Sequence, residues 1–204
     1  MPAKAVVATL RHVWVTLEPL KLPMAVMGGL AVAVWEHVRA TQDVDLLVGV
    51  GEADVGAVVE RLAQAKVRSK RASPVLTVGP VQIVQLLYEP PDSFVDVQVD
   101  LLLAQSEYHR AALQRRTAAR LPELDFEVQV LSCEDLILHK LLAARILDRV
   151  DAAALLRANR EGIDLSYLTS WVGNLSLDAE LAEVWQGAFP GEKPPASVRR
   201  RETQ

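Results

Sequence analysis

Residues 24–48 read Met24-Ala-Val-Met-Gly28-Gly29-Leu-Ala-Val-Ala-Val-Trp-Glu-His-Val-Arg39-Ala-Thr41-Gln-Asp43-Val-Asp45-Leu-Leu-Val48. An apolar run ends at Gly28-Gly29, and a helix-like stretch, Leu30 to His37, follows it. After a short polar link, Asp43-Val-Asp45 opens a second apolar run. Residues i and i+2 of a strand share a face, so Asp43 and Asp45 would present two carboxylates side by side. Like charges that close repel, and one takes up a proton unless a cation sits between them. Two hard oxygen ligands at the mouth of a buried strand suit Mg²⁺, which binds one or two carboxylates and completes its shell with waters and substrate phosphates. The glycine pair lets backbone approach a phosphate closely, and N–H groups opening a helix favour an anion. Taken singly, an Asp-x-Asp is commonly a solvated strand start and a Gly-Gly a plain turn. The conjunction of both on adjacent elements is what carries the reading.

The whole chain sets the frame. Its 204 residues predict one domain, or one domain with a small helical annex. A chain this long buries roughly 70% of its unfolded surface, and 50% hydrophobic residues supply a core. No apolar run approaches the ~20 residues of a membrane span. The start, Met1-Pro-Ala-Lys4, carries one positive charge and Arg11-His12 interrupts the apolar stretch, a poor signal peptide. Cys133 has no second cysteine to pair with, which fits a reducing, cytoplasmic setting. With no histidine partner nearby in sequence, it reads as a small packing residue. The net charge of −4 argues against non-specific binding of long nucleic acid. The basic clusters are short: Arg68, Lys70, Arg71; then Arg110, Arg115, Arg116, Arg120; then Arg199-Arg200-Arg201. They read as solvated faces, though two of them flanking the metal site would hold a compact RNA end.

Apolar spacing predicts a helix over residues 4–18, broken by Pro19 and Pro23, then strands at Met24–Met27 and Val44–Val50 and a helix from Ala53 to Ala65. Residues 75–88 predict a hairpin around Gly79-Pro80. In the next predicted strand, Val95–Leu103, the parity separates Asp96, Gln98 and Asp100 from Val95, Val97, Val99 and Leu101. A helix at 106–116, a strand at 126–131 and a Ser132-headed helix over 136–151 follow. Spacing of three and four puts Lys140, Asp148 and Asp151 on one edge of that long helix. Two short helices, 164–172 and 177–186, turn Trp171 and Trp185 inward. Residues 187–204, rich in Pro, Gly and Arg, predict a disordered tail.

The succession strand, Gly28-Gly29, helix, Arg39-x-Thr41-x-Asp43-x-Asp45, strand resembles the signature of the nucleotidyltransferase superfamily typified by DNA polymerase β. Within it the chain resembles the small bacterial AbiEii-type toxins and the lincosamide and aminoglycoside nucleotidyltransferases. A second stretch supports this: Ser132, Glu134-Asp135, Lys140, Ala143, Arg145, Asp148 and Asp151 keep the order of that family's later motif. The resemblance covers residues 24–156. One departure is His37, two positions before Arg39, in a loop where relatives often carry a glycine.

The resemblance implies an α+β fold, with a nucleotidyltransferase-type mixed β-sheet flanked by helices over 1–131 and a C-terminal helical part over 132–186. It implies a third carboxylate from a later strand in a Val-Asp-Leu-Leu context, which selects Asp100, with Asp96 as the alternative. Asp43, Asp45 and Asp100 would then hold Mg²⁺ and act in catalysis. Gly28, Gly29, Arg39 and Thr41 would line the nucleotide, although Arg39 can equally pair with Glu36 or Asp43. Lys140 is the cation offered to phosphate, or else a solvated helical lysine. Arg145, Asp148 and Asp151 match the pattern without an assigned task.

The implied activity is transfer of an NMP from an NTP to a hydroxyl, on tRNA in a toxin-like enzyme, with an antitoxin as a further partner and no membrane. The same motif serves antibiotic-modifying enzymes, so a small-molecule acceptor stays open. A nucleotide-binding module without turnover is the reading from another class, and the presence of three carboxylates weighs against it.

Overall fold

The structure is a computed structural model and describes residues 4–37, 39–51, 54–91, 93–121 and 126–197. The chain divides into two compact units, one of residues 1–31 and 39–131, the other of residues 32–38 and 132–204.

The first unit is built on a mixed sheet. Its elements are α1 (Lys4–Leu17), a 3-10 turn (Glu18–Leu20), β1 (Met24–Met27), the start of α2 (Gly28–Val34), β2 (Asp43–Val48), α3 (Val55–Gln64), β3 (Arg68–Ser69), β4 (Val75–Val78), β5 (Val81–Tyr88), β6 (Val97–Leu103), α4 (Glu107–Gln114), β7 (Thr117–Ala119) and β8 (Val128–Val130). The strand order is β3-β5-β6-β2-β1-β8-β7, with β4 also pairing β5. β2 lies at the centre, antiparallel to β1 and parallel to β6. That position explains its continuous apolar run: Val44, Leu46, Leu47 and Val48 are all fully buried. The β2–β6 register pairs Val44 with Val99 and Leu46 with Leu101 on one face, and Asp43 with Gln98 and Asp45 with Asp100 on the other. The apolar side of α1, including Leu10, Val13 and Leu17, is buried, and α1 packs on β2 and β6. The hairpin forms as its turn predicts, Val78 pairing Val81.

β3 and β7 have two and three residues, too short to show a pattern; β3 pairs antiparallel with the longer β5, and β7 with the equally short β8. The strand expected from Val95 begins at Val97, and Val95 is exposed.

The second unit is helical, with α5 (Cys133–Ala143), α6 (Ile146–Ala158), α7 (Leu165–Leu175) and α8 (Asp178–Ala188). α5 packs on α6 and α7, and α6 on α8. Leu138, Leu155, Leu156, Leu168 and Val172 are fully buried there, and Trp171 and Trp185 face inward as expected. Ser132 caps α5, its hydroxyl accepting from the Asp135 N–H and donating to Asp135 Oδ2. The single long helix expected over 136–151 is instead two helices. Ala144 takes a left-handed conformation (φ 53°), its N–H bonded to the Lys140 carbonyl, and Arg145 is extended. Part of the expected tail, residues 187–197, lies among the described residues. α8 runs to Ala188, Phe189 is buried against Trp185, and Arg160 pairs with Glu192. Aromatic burial there outweighs a composition rich in Pro and Gly. Residues 198–204, with the basic run Arg199–Arg201, lie outside the described residues.

Among the described residues no helix is long and apolar enough to cross a membrane.

Candidate active site

The site grows from the junction of β1 with α2. Gly28 has φ +61°, and a Cβ there would lie 1.9 Å from Asp45 Oδ2. Both the backbone and the space therefore demand glycine. Gly29 is confined by space alone: its Cβ would lie 2.7 Å from Thr41 Oγ1. The glycine pair is thus the floor against which Asp45 and Thr41 stand. Thr41, itself buried, donates from Oγ1 to Asp43 Oδ1 at 2.8 Å. Arg39 Nη1 donates to the Ala40 carbonyl and lies 3.3 Å from where a Gly29 Cβ would be. Gly28, Gly29, Arg39, Thr41, Asp43 and Asp45 therefore form one contiguous patch.

Asp100 joins it through the sheet, as the register partner of Asp45 on the parallel strand β6. Asp96 precedes that strand and its carboxylate is held by Arg68 at 2.5 Å. Burial, chiefly, holds the Asp100 carboxyl above the ordinary carboxylate value, and the like charge of Asp43 adds to it. Hydrogen bonds from Gln98 and Gln85, and the charge of Lys70, oppose that rise without cancelling it. Gln98 Nε2 donates to Asp100 Oδ2 at 2.8 Å, and Gln85 Nε2 to Oδ1 at 3.4 Å. These two glutamines carry no signal beyond parity: Gln98 is two positions before Asp100, and Gln85 is found only through the β5–β6 register. A cavity of about 650 Å³ opens beside Asp43, with Thr41, Gln42, Asp96 and Gln98 in its wall.

No three His, Cys, Asp or Glu side chains among the described residues are gathered as a ready-made metal site. That leaves the chemistry of a Mg²⁺ site, which needs only one or two carboxylates and takes other ligands from water and substrate.

The basic clusters separate. Lys70 and Arg71 are exposed and reach the Asp100 glutamines. Arg110 and Arg116 line a different cavity with Pro23, Gly49 and Gly51, at the far end of β2. Asp43 and Val48 open and close that strand, a span of roughly 17 Å at ~3.3 Å per residue. The two clusters do not flank the carboxylates together.

In the second unit Lys140 is buried, with Nζ 2.8 Å from both Asp148 Oδ1 and Asp151 Oδ2. Arg145 adds a 2.6 Å contact to Asp148, and His37 lies 3.5 Å from Asp151. Burial alone would raise Asp148, but hydrogen bonds from Arg145 and Lys140 hold it below the ordinary value. Lys140 is therefore neither solvated nor a lone cation; two carboxylates match its charge. Burial, followed by the charge of Glu134, pushes the Cys133 thiol up to about 12, so it is an inert packing residue.

No curated protein matches the sequence. Among solved structures, an antigenic nucleotidyltransferase-like protein from Paracoccidioides brasiliensis superposes with TM-score 0.58 and 20% identity, over 89% of this chain and 88% of that one. JHP933 from Helicobacter pylori superposes with TM-score 0.50 and 15% identity, over 92% and 80%. At these identities the likeness establishes the fold. The family described as "Nucleotidyl transferase AbiEii toxin, Type IV TA system" matches residues 10–202, nearly the whole chain. With the glycine floor, the Asp-x-Asp strand and the mixed sheet in place, the chain belongs to the AbiEii family of nucleotidyltransferases.

Proposed function

We propose that this enzyme moves an NMP from an NTP to a hydroxyl on an RNA acceptor of the tRNA type, with Mg²⁺ held by Asp43, Asp45 and Asp100. The observation that supports the reading is the register of β2 and β6, which puts Asp43, Asp45 and Asp100 on one face of the sheet, with Asp45 against the glycine floor. The residues fit the ion: all three offer hard carboxylate oxygens, and Gly28 leaves the space that Asp45 Oδ2 occupies. When bound, the ion supplies charge neutralisation for the triphosphate and a lowered hydroxyl pKa for the acceptor.

The chain's own groups do the rest. Thr41 fixes Asp43 by its 2.8 Å hydrogen bond, which leaves the second carboxylate oxygen free to ligate. The backbone N–H groups of Gly28 and Gly29 line the triphosphate, where a side chain would collide. Arg39, beside Gly29, adds positive charge on the nucleotide side. Asp100, whose proton affinity is raised, is the group suited to accept the proton of the attacking hydroxyl. Attack in line on the α-phosphorus then releases pyrophosphate. No step rests on Lys140, whose charge Asp148 and Asp151 already match.

Exposed Lys70 and Arg71, one glutamine removed from Asp100, support an anionic acceptor over a cationic antibiotic. The family description supports an antitoxin as a further partner, and the lone Cys133 supports a cytoplasmic setting.

The test supplies each of the four α-³²P-NTPs with Mg²⁺ and total tRNA, beside the Asp43→Ala/Asp45→Ala variant. Label on RNA that vanishes in the variant supports the proposal. Mg²⁺-dependent NTP binding without RNA labelling moves the acceptor to a small molecule. Absence of both overturns the catalytic reading.

A further inference from the structure

Among the described residues no lysine or arginine hydrogen-bonds directly to the Asp100 carboxylate; the hydrogen bonds of Lys70 and Arg71 reach it through an amide. Lys70 Nζ donates to Gln98 Oε1 at 2.5 Å, and Gln98 Nε2 donates to Asp100 Oδ2 at 2.8 Å. In parallel, Arg71 Nε donates to Gln85 Oε1 at 3.1 Å, and Gln85 Nε2 donates to Asp100 Oδ1 at 3.4 Å. The orientation of each amide is forced by its partners. An ammonium or guanidinium only donates and a carboxylate only accepts, so each amide must turn its oxygen to the cation and its nitrogen to Asp100.

The strands set the same arrangement from beneath. Gln98 is two residues before Asp100 on β6, and Gln85 is its antiparallel partner on β5. The Lys70 N–H bonds the Gln85 carbonyl, which ties the cation-bearing segment to the same strand.

We propose that Gln98 and Gln85 are positioning residues for Asp100: an amide relay, anchored by Lys70 and Arg71, that aims the third carboxylate while leaving it able to bind a divalent cation. This rests on the metal-site reading of Asp43, Asp45 and Asp100. A direct lysine or arginine partner would hold Asp100 equally firmly, but it would place a full positive charge where the ion must come. A neutral amide orients the carboxylate without that repulsion. An ionised carboxylate has about four acceptor positions; the relay uses two of them and leaves both oxygens a free lone pair. The relay also takes the conformational freedom out of Asp100 before any ligand arrives, so less ordering remains to be done on binding. Partners of this kind, which orient a metal ligand without touching the metal, typically contribute about 10–100-fold in metal affinity.

The experiment measures Mn²⁺ binding by electron paramagnetic resonance on the full chain, without nucleotide. The variants are Gln98→Leu, Lys70→Met and Asp100→Ala, each with a metal-free melting curve. The relay predicts that Gln98→Leu weakens Mn²⁺ by about tenfold or more. Lys70→Met, which removes the hydrogen-bonded anchor of Gln98 at an exposed position, weakens it by a smaller factor in the same direction. A Lys70→Met/Gln98→Leu double variant should be no weaker than Gln98→Leu alone, because the lysine has then lost the group it acts through. Wild-type affinity in Gln98→Leu and Lys70→Met, with Asp100→Ala impaired, overturns the relay and leaves the metal site standing. Wild-type affinity in Asp100→Ala overturns the site reading itself. Additive losses in the double variant overturn the serial order, since Lys70 would then support the site by a route other than Gln98, and tighter binding in Lys70→Met, the sign of a relieved charge repulsion, overturns it as well.

Discussion

Lys140→Met is the sharpest perturbation of the second unit, and its cost follows from the ion cluster. The Lys140 ammonium is 2.8 Å from two carboxylates whose side chains are 2% and 0% exposed. Methionine keeps most of the side-chain volume but strands Asp148 and Asp151 against each other. Asp148 retains Arg145, which is 78% exposed and so a weak compensation, and Asp151 retains the longer contact to His37. Removing one partner of a buried ion pair costs roughly 3–5 kcal/mol. For a chain of this length each kcal/mol moves the midpoint by roughly 2–4 °C, so the variant should melt roughly 6–20 °C lower. Three of the four tryptophans, Trp35, Trp171 and Trp185, belong to the second unit and Trp14 to the first, so tryptophan fluorescence chiefly reports unfolding of the second.

The sign with pH is a second check. Asp148 is held below its ordinary value in the wild type, so its contribution is present above the unfolded pKa and is lost as pH falls through the folded one. In the variant Asp148 loses the Lys140 hydrogen bond and charge that hold it down, so its proton affinity rises, and the fold recovers as pH falls and it is protonated. The gap between the two proteins must therefore narrow toward acid. Lys140→Met/Asp151→Asn should recover part of the loss at neutral pH. A loss below about 1 kcal/mol at pH 7, or a gap that widens toward acid, refutes the reasoning. Any fall in nucleotidyl transfer caused by a Lys140 substitution has to be read against this stability loss.

Gly28→Ala should lower transfer by about 100-fold, because a Cβ 1.9 Å from Asp45 Oδ2 forces that carboxylate aside by an ångström or more. Steady-state kinetics within threefold of wild type would contradict it, whereas Gly56→Ala, with nothing near its Cβ, should be silent. Asp100→Asn should melt above the wild type at neutral pH without metal, since burial raises Asp100 and its charged form opposes folding. The wild type regains stability as pH falls through that raised value, so the difference should vanish toward acid in paired melting curves. Ser132→Ala removes the cap of α5 and should cost about 1 kcal/mol in urea unfolding, with transfer unchanged at 25 °C. Arg110→Ala/Arg116→Ala should leave transfer to tRNA intact, since both residues line a cavity at the far end of β2, whereas Lys70→Ala/Arg71→Ala should weaken it.

What the sequence allowed to be read depended on whether a local pattern and a tertiary constraint agreed. β2 and β6 were legible because burial imposes their composition: the apolar face repeats at every second residue, and Asp43, Asp45 and Asp100 interrupt only the opposite face. The glycine pair was legible for the same reason, since no other residue fits beside Asp45 and Thr41. The break at Ala144 was not, and the cause is instructive. Alanine is a strong helix former and carries no turn signal, yet it sits at φ 53° because packing of α5 on α6 decides the end of the helix. The spacing of Lys140, Asp148 and Asp151 imitated one continuous helical edge, while the actual contacts close across two helices. Gln85 and Gln98 were hidden more deeply, because a glutamine facing solvent and one aiming a carboxylate obey the same alternation. Only the register, which sets Gln85 opposite Asp100 and Asp100 beside Asp45, separates the two. Motif residues could therefore be read from the chain alone, but the residues that aim them belong to neighbouring strands and needed the sheet.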